Sequence, residues 1–105
     1  MRYFRVTISD NDFWFLMEQT LNYVCNCLPS YFLQVYKGSG LSGEEIIKET
    51  IKEYLDMMHI KDDIKSYIFE HLKISTVDTL SYDNENSEVY YIYNDGQNGY
   101  EWTKR

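Results

Sequence analysis

A chain of 105 residues with 44% hydrophobic content can fill one core but falls short of the size at which cores divide, so a single domain spanning residues 1–105 is expected. Seventeen acidic against ten basic residues leave a formal charge of -7. That field repels phosphate backbones and anionic lipid, and it favours a basic protein partner over direct nucleic-acid binding.

The amino-terminal MRYFRVTIS lacks the apolar run of a secretory leader. No segment approaches the roughly 18 apolar residues of a membrane span. A cytoplasmic protein that makes no membrane contact is the simplest expectation. The basic residues Arg2, Arg5, Lys104 and Arg105 sit at the two chain ends, where antiparallel pairing of terminal strands would bring them together.

Tyr3 to Ile8 alternate, with Phe4, Val6 and Ile8 on one face and Tyr3, Arg5 and Thr7 on the other, which predicts a strand. Ser9 or Asp10 then offers an N-cap, and Asp12 complements the positive end of a helix. Phe13, Met17, Leu21, Val24 and Leu28 follow helical spacing, widened by Trp14, Leu16 and Cys25, and Pro29 supplies the stop. Phe32 to Tyr36 are read as a short strand, with an aromatic loop as the alternative, before the connector GSGLSG.

Ser42 with Glu45 three residues on is a capping box, since each side chain can satisfy an amide that the helix start leaves unpaired. In the helix that follows, Ile47, Ile51, Tyr54, Leu55 and Met58 form the core stripe, and Glu44 and Lys48 make an i,i+4 pair opposite it. Past His59 the apolar set becomes Ile60, Ile64, Tyr67, Ile68 and Leu72, which does not continue the first stripe. A break at His59 to Asp62 is expected, with a second helix capped by Asp62 or Asp63; one continuous bent helix is the alternative.

Ile74 to Tyr82 and Glu88 to Asn94, separated by DNENS, read as a β-hairpin, and Tyr100 to Thr103 as a last strand after the turn at Asn94 to Gly99. The expected fold is α+β: a small antiparallel sheet holding the first and last strands, covered on one face by two to three helices.

No complete catalytic, cofactor or metal motif is present. Cys25 and Cys27 diverge by about 200° on a helix, so C-x-C neither closes a disulfide there nor makes a metal signature. His59 and His71, twelve residues apart, flank one helix and do not share an ion if it is straight. Folding is therefore expected to need neither zinc nor a cofactor. The glycines at 38, 40 and 43 match neither nucleotide fingerprint.

Two surfaces stand out. Glu45, Glu49 and Glu53 repeat at i,i+4 along one helix face, and Tyr91 and Tyr93 share the strand face opposite Tyr90 and Ile92. A helical layer covers only one side of that strand, so the other is a candidate contact surface. These residues are the expected protein-binding set, and the leading expectation is a non-enzymatic interaction domain, an acidic inhibitor or adaptor. The alternatives are a small enzyme with a pocket between the sheet and the His59 segment, and self-association as a dimer through the outer sheet.

Overall fold

A computed structural model describes residues 3–8, 13–30, 38–80, 88–94 and 99–104 of the chain. The alternating amino terminus becomes β1 (Tyr3–Ile8), and it lies inside the sheet rather than at its border. Three helices follow, α1 (Trp14–Ser30), α2 (Gly43–Met57) and α3 (Asp62–His71), then β2 (Leu72–Val77), β3 (Glu88–Asn94) and β4 (Tyr100–Lys104). The strand order is β2-β1-β3-β4 with every neighbouring pair antiparallel.

Because directly paired residues point to the same side of a sheet, the register fixes its two faces. Val6 lies opposite Ile74 and Tyr90, and Phe4 lies opposite Ile92, which in turn faces Trp102. These residues meet the helices, where Met17, Leu21, Val24 and Leu28 of α1, Ile47, Ile51 and Leu55 of α2 and Ile68 of α3 complete the core. The other side carries the row Arg5, Tyr91 and Thr103. It is not bare, for Tyr91 is 0% and Val89 2% exposed, so β3 is buried on both faces.

Two threonines sit inside the helical layer without cost to the hydrogen-bond balance. Thr20 donates its hydroxyl to the Leu16 carbonyl and Thr50 to that of Ile46, each at 2.7 Å, the turn-back bond that lets a helix bury a hydroxyl.

Both ends of α2 are closed by local chemistry. Ser42 Oγ accepts from the Glu45 amide at 3.2 Å while Glu45 Oε1 accepts from the Ser42 amide at 3.3 Å, the expected capping box. At the other end the Ile60 amide donates to Leu55 O and the His59 amide to Asp56 O, both at 3.1 Å. That pair of bonds is a Schellman motif, whose C′ residue must be left-handed. His59 occupies it at φ 56° where glycine is usual. The expected break between helices is therefore real, and its cause is this turn.

Several expectations need correction. The segments read as a hairpin do not pair: β1 lies between β2 and β3, which run in the same direction, so no tight turn can join them. The pairing strand is also earlier than expected, Leu72–Val77 rather than Ile74 to Tyr82. The terminal strands β1 and β4 are separated by β3, so Arg5 is not paired with Lys104; Arg2 and Arg105 lie outside the described residues. α1 continues one residue past Pro29. Asp62 and Asp63 do not cap α3; Lys61 holds the N-cap position, and the aspartates fill the first turn, where they complement the helix dipole. Met58 is 51% exposed because the helix has already turned at its C-cap. Glu44 accepts from Thr76 Oγ1 at 2.6 Å and makes no ion pair with Lys48 among the described residues. The Ser9, Asp10 and Asp12 cap, the Phe32 to Tyr36 strand and the DNENS turn also lie outside the described residues.

The left-handed residue gives a stability test. His59→Gly removes a backbone cost of about 1 kcal/mol, which at this chain length raises Tm by about 4–8 °C. Ser42→Ala, losing the cap, lowers stability by about 1 kcal/mol. Thermal and urea melts of both variants check the pair.

Candidate functional site along the second helix

α3 runs directly into β2, His71 being followed by Leu72 with no intervening loop. α2 packs against β2 and is joined to α3 through Lys65 and Asp56, and a trough opens between them. Its larger part, about 430 Å³, lies between α2 and α3 and is lined by Lys48, Glu49, Lys52, Lys65, Ser66 and Phe69, with Asp56 and Asp62 at the corner. The second part, about 290 Å³, lies between the start of α2 and the edge strand β2 and is lined by Ser42, Glu44, Glu45, Lys48, Leu72 and Ile74. Lys48 borders both, so the two parts adjoin. Phe69, Leu72 and Ile74 are half-buried and pack against the core, giving the trough an apolar floor.

The charges along this trough are unequally committed. Lys65 Nζ stands 2.7 Å from Asp56 Oδ1 and 3.1 Å from Asp62 Oδ1, tying the end of α2 to the start of α3. The Lys65 hydrogen bond holds the Asp56 carboxyl below its ordinary 3.8, and the Asp56 and Asp62 bonds push the Lys65 ammonium above its ordinary 10.5. Lys48, Glu49 and Lys52 have no side-chain hydrogen bond or ion pair among the described residues.

The expected protein-binding residues separate on this fold. Glu49 lines the trough. Glu45 borders it and serves the capping box. Glu53 accepts from the Tyr23 hydroxyl of α1 at 3.0 Å. Their i,i+4 spacing is real, yet the three carboxylates have three different environments. Tyr91 is enclosed by the chain itself and offers no surface to a partner. Tyr93 is half-buried, its ring 5.9 Å from that of Tyr3 and its hydroxyl donating to Glu101 at 3.3 Å.

Of the residues along this trough, the sequence pattern marks Lys48 only as a counter-charge to Glu44 and gives no role to Ser66 or Phe69. The usable signal was Phe69, an aromatic outside the apolar stripe of Ile64, Tyr67 and Ile68.

Nucleophilic chemistry finds little support in the thiol. Cys25 is buried on α1, and that burial, with the Glu101 carboxylate adding to it, pushes the thiol up to about 12. A thiol so placed stays protonated at neutral pH. It borders a third groove of about 360 Å³ with Asn22, Asn26, Tyr100, Glu101 and Trp102, between α1 and β4. There Trp102 Nε1 donates to Asn22 Oδ1 at 2.7 Å and fastens the β4 edge to the helix.

His59 is exposed at the α2–α3 turn, while His71 stacks on Tyr67 at 4.0 Å with Nδ1 2.8 Å from the Tyr67 carbonyl. Neither lines any of the three grooves. Among the described residues no three of His, Cys, Asp and Glu gather as metal ligands, and no helix is long and apolar enough to cross a membrane. No family model, curated protein or solved structure matches this chain.

Two measurements follow. A depressed aspartate contributes stability above its ordinary value and loses it as the pH falls through the lowered one; a raised lysine contributes below its ordinary value and loses it as the pH climbs through the raised one. The stability difference between the parent and Lys65→Met should therefore stay flat between 3.8 and 10.5 and shrink outside those limits, read from urea midpoints across pH. Iodoacetamide with mass spectrometry should label Cys27 while Cys25 stays unmodified until the chain is unfolded.

Proposed function

We propose that this chain is a non-enzymatic protein-interaction domain, an inhibitor or adaptor, that takes part of a basic protein partner into the trough along α2. The observation that carries the reading is a coincidence of three features in one place. An apolar floor of Phe69, Leu72 and Ile74 lies beneath Lys48, Glu49 and Lys52, which make no side-chain hydrogen bond or ion pair among the described residues, beside the edge strand of the sheet. Apolar contact supplies affinity, the net charge of -7 steers a basic partner, and rim charges of both signs fix its register. A cytoplasmic location fits the two free thiols.

The test compares the trough with the groove on the other side of the helical layer. Ser66→Trp fills the larger part and Glu49→Lys reverses a charge that makes no side-chain bond among the described residues, both at exposed positions; Asn26→Trp alters the α1–β4 groove as a control. All three should keep the parent stability within about 0.5 kcal/mol. A partner purified with the parent should then bind the two trough variants about tenfold or more weakly and the control unchanged, measured by calorimetry. Undiminished binding by both trough variants would mean that the interface lies elsewhere.

A further inference from the structure

The trough has a helical wall at one end and a strand wall at the other, and only the strand wall carries backbone groups able to pair. β2 is an edge strand whose inner neighbour is β1, and no fifth strand lies beyond it among the described residues. In an antiparallel ladder, alternate residues turn their N–H and C=O toward one neighbour and the intervening residues turn theirs away. The outer groups of β2 are thus directed along the sheet plane, past the trough. The opposite border is different, since α1 lies against β4 and Trp102 is bonded to Asn22.

From this geometry we infer that the partner binds by strand addition: an extended segment pairs antiparallel with the outer edge of β2 and lowers alternate side chains into the trough. The inference rests on the trough being the partner site and names how that site is read. Leu72, Ile74 and Thr76 share the face directed at the helices, because their β1 partners Ile8, Val6 and Phe4 do. Side chains of an added strand opposite Leu72 and Ile74 enter above the apolar floor and should be apolar. The side chain opposite Thr76 meets Glu44 and Glu45. Glu44 takes the Thr76 hydroxyl on Oε1, and Glu45 uses Oε1 in the capping box, which leaves Oε2 of each open to an ammonium or guanidinium group. The segment therefore reads, from its amino end, basic, any, apolar, any, apolar.

A second copy of the chain is a poorer occupant. It brings another charge of -7 to the same edge. β2 also carries the exposed Lys73 as its second residue, a common guard against pairing of like edges.

The probe is the peptide acetyl-Thr-Lys-Thr-Val-Thr-Val-amide, with its Lys replaced by Glu in a second peptide and its central Val by Pro in a third. Binding to the whole protein is followed by amide chemical shifts and hydrogen exchange. The first peptide should shift the amides of β2 and of the first turns of α2 and slow exchange along β2. The Glu peptide should bind about tenfold more weakly, and the Pro peptide should lose the exchange protection. Glu44→Lys should reverse the preference between the first two; should that variant fail to fold, the peptide exchange on the parent still reads the charge dependence. Shifts confined to Lys52, Ser66 and Phe69 with β2 silent would overturn strand addition while leaving the trough as the partner site. Shifts at β4, equal affinity for the two charges, or no binding would also overturn it, as would a dimer of the free protein that protects β2. Failure of the proposed function itself is read separately, from a partner indifferent to Ser66→Trp and Glu49→Lys.

Discussion

β1 has a partner on each side, and the rest of the molecule is arranged around that fact. Its six residues pair with Leu72–Val77 on one flank and with residues of β3 on the other, so the first strand made is completed only by the last third of the chain. The entropic cost of closing such long loops grows slowly, about 0.6 kcal/mol per doubling of length. The kinetic consequence is larger, because non-local pairing must wait for the intervening chain to come back. Local signals are correspondingly strong in between. The Ser42 box starts α2 at a defined residue, and the Schellman turn at His59 ends it and reverses the chain.

The trough follows from the same arrangement. Since α3 passes into β2 without a loop, one continuous run of chain faces α2, helical at first and extended afterwards. Lys65 holds the closed corner through Asp56 and Asp62, and Thr76 with Glu44 joins the open end to the sheet. Between those two ties, Phe69, Leu72 and Ile74 pack against the core along the floor. The central position of β1 also puts β2 at the border of the sheet among the described residues, so the interior strand and that border are two aspects of a single topology.

What could be read from the sequence was what depends on neighbouring residues. Alternation located β1, the helical stripe located α1, Ser42 with Glu45 located the start of α2, and the loss of phase past Met58 located the break at His59. What could not be read depends on distant choices. Nothing in Ile74 to Tyr82 or Glu88 to Asn94 records that a third strand intervenes, and a polar turn between two strand-like runs looks the same whether or not they pair. Asp62 and Asp63 carry good capping side chains, yet the Schellman turn sets where α3 begins and puts them one step inside it. The trough was legible only in fragments, because its walls come from three elements and its floor from Phe69, which lies outside the helical stripe, and Leu72, which the stripe assigns to a helix.

The tyrosines show how period differs from exposure. Alternation states correctly that Tyr90 and Tyr91 point to opposite sides of β3, and the tempting next step is that one of them is wet. Both are fully buried. An aromatic side chain buries about 150–250 Å², worth at most a few kcal/mol at about 25 cal/mol per Å², and a chain of this size can bury only about two-thirds of the surface it exposes when unfolded. A small protein built around one central sheet gains more by enclosing such rings on both faces than by holding one in reserve. The eleven tyrosines therefore argue first for stability. With Tyr91 committed to the interior, the groups that the described residues leave partly covered or unbonded lie elsewhere: the outer backbone edge of β2, the half-buried Leu72, Ile74 and Phe69, and the side chains of Lys48 and Glu49 on α2.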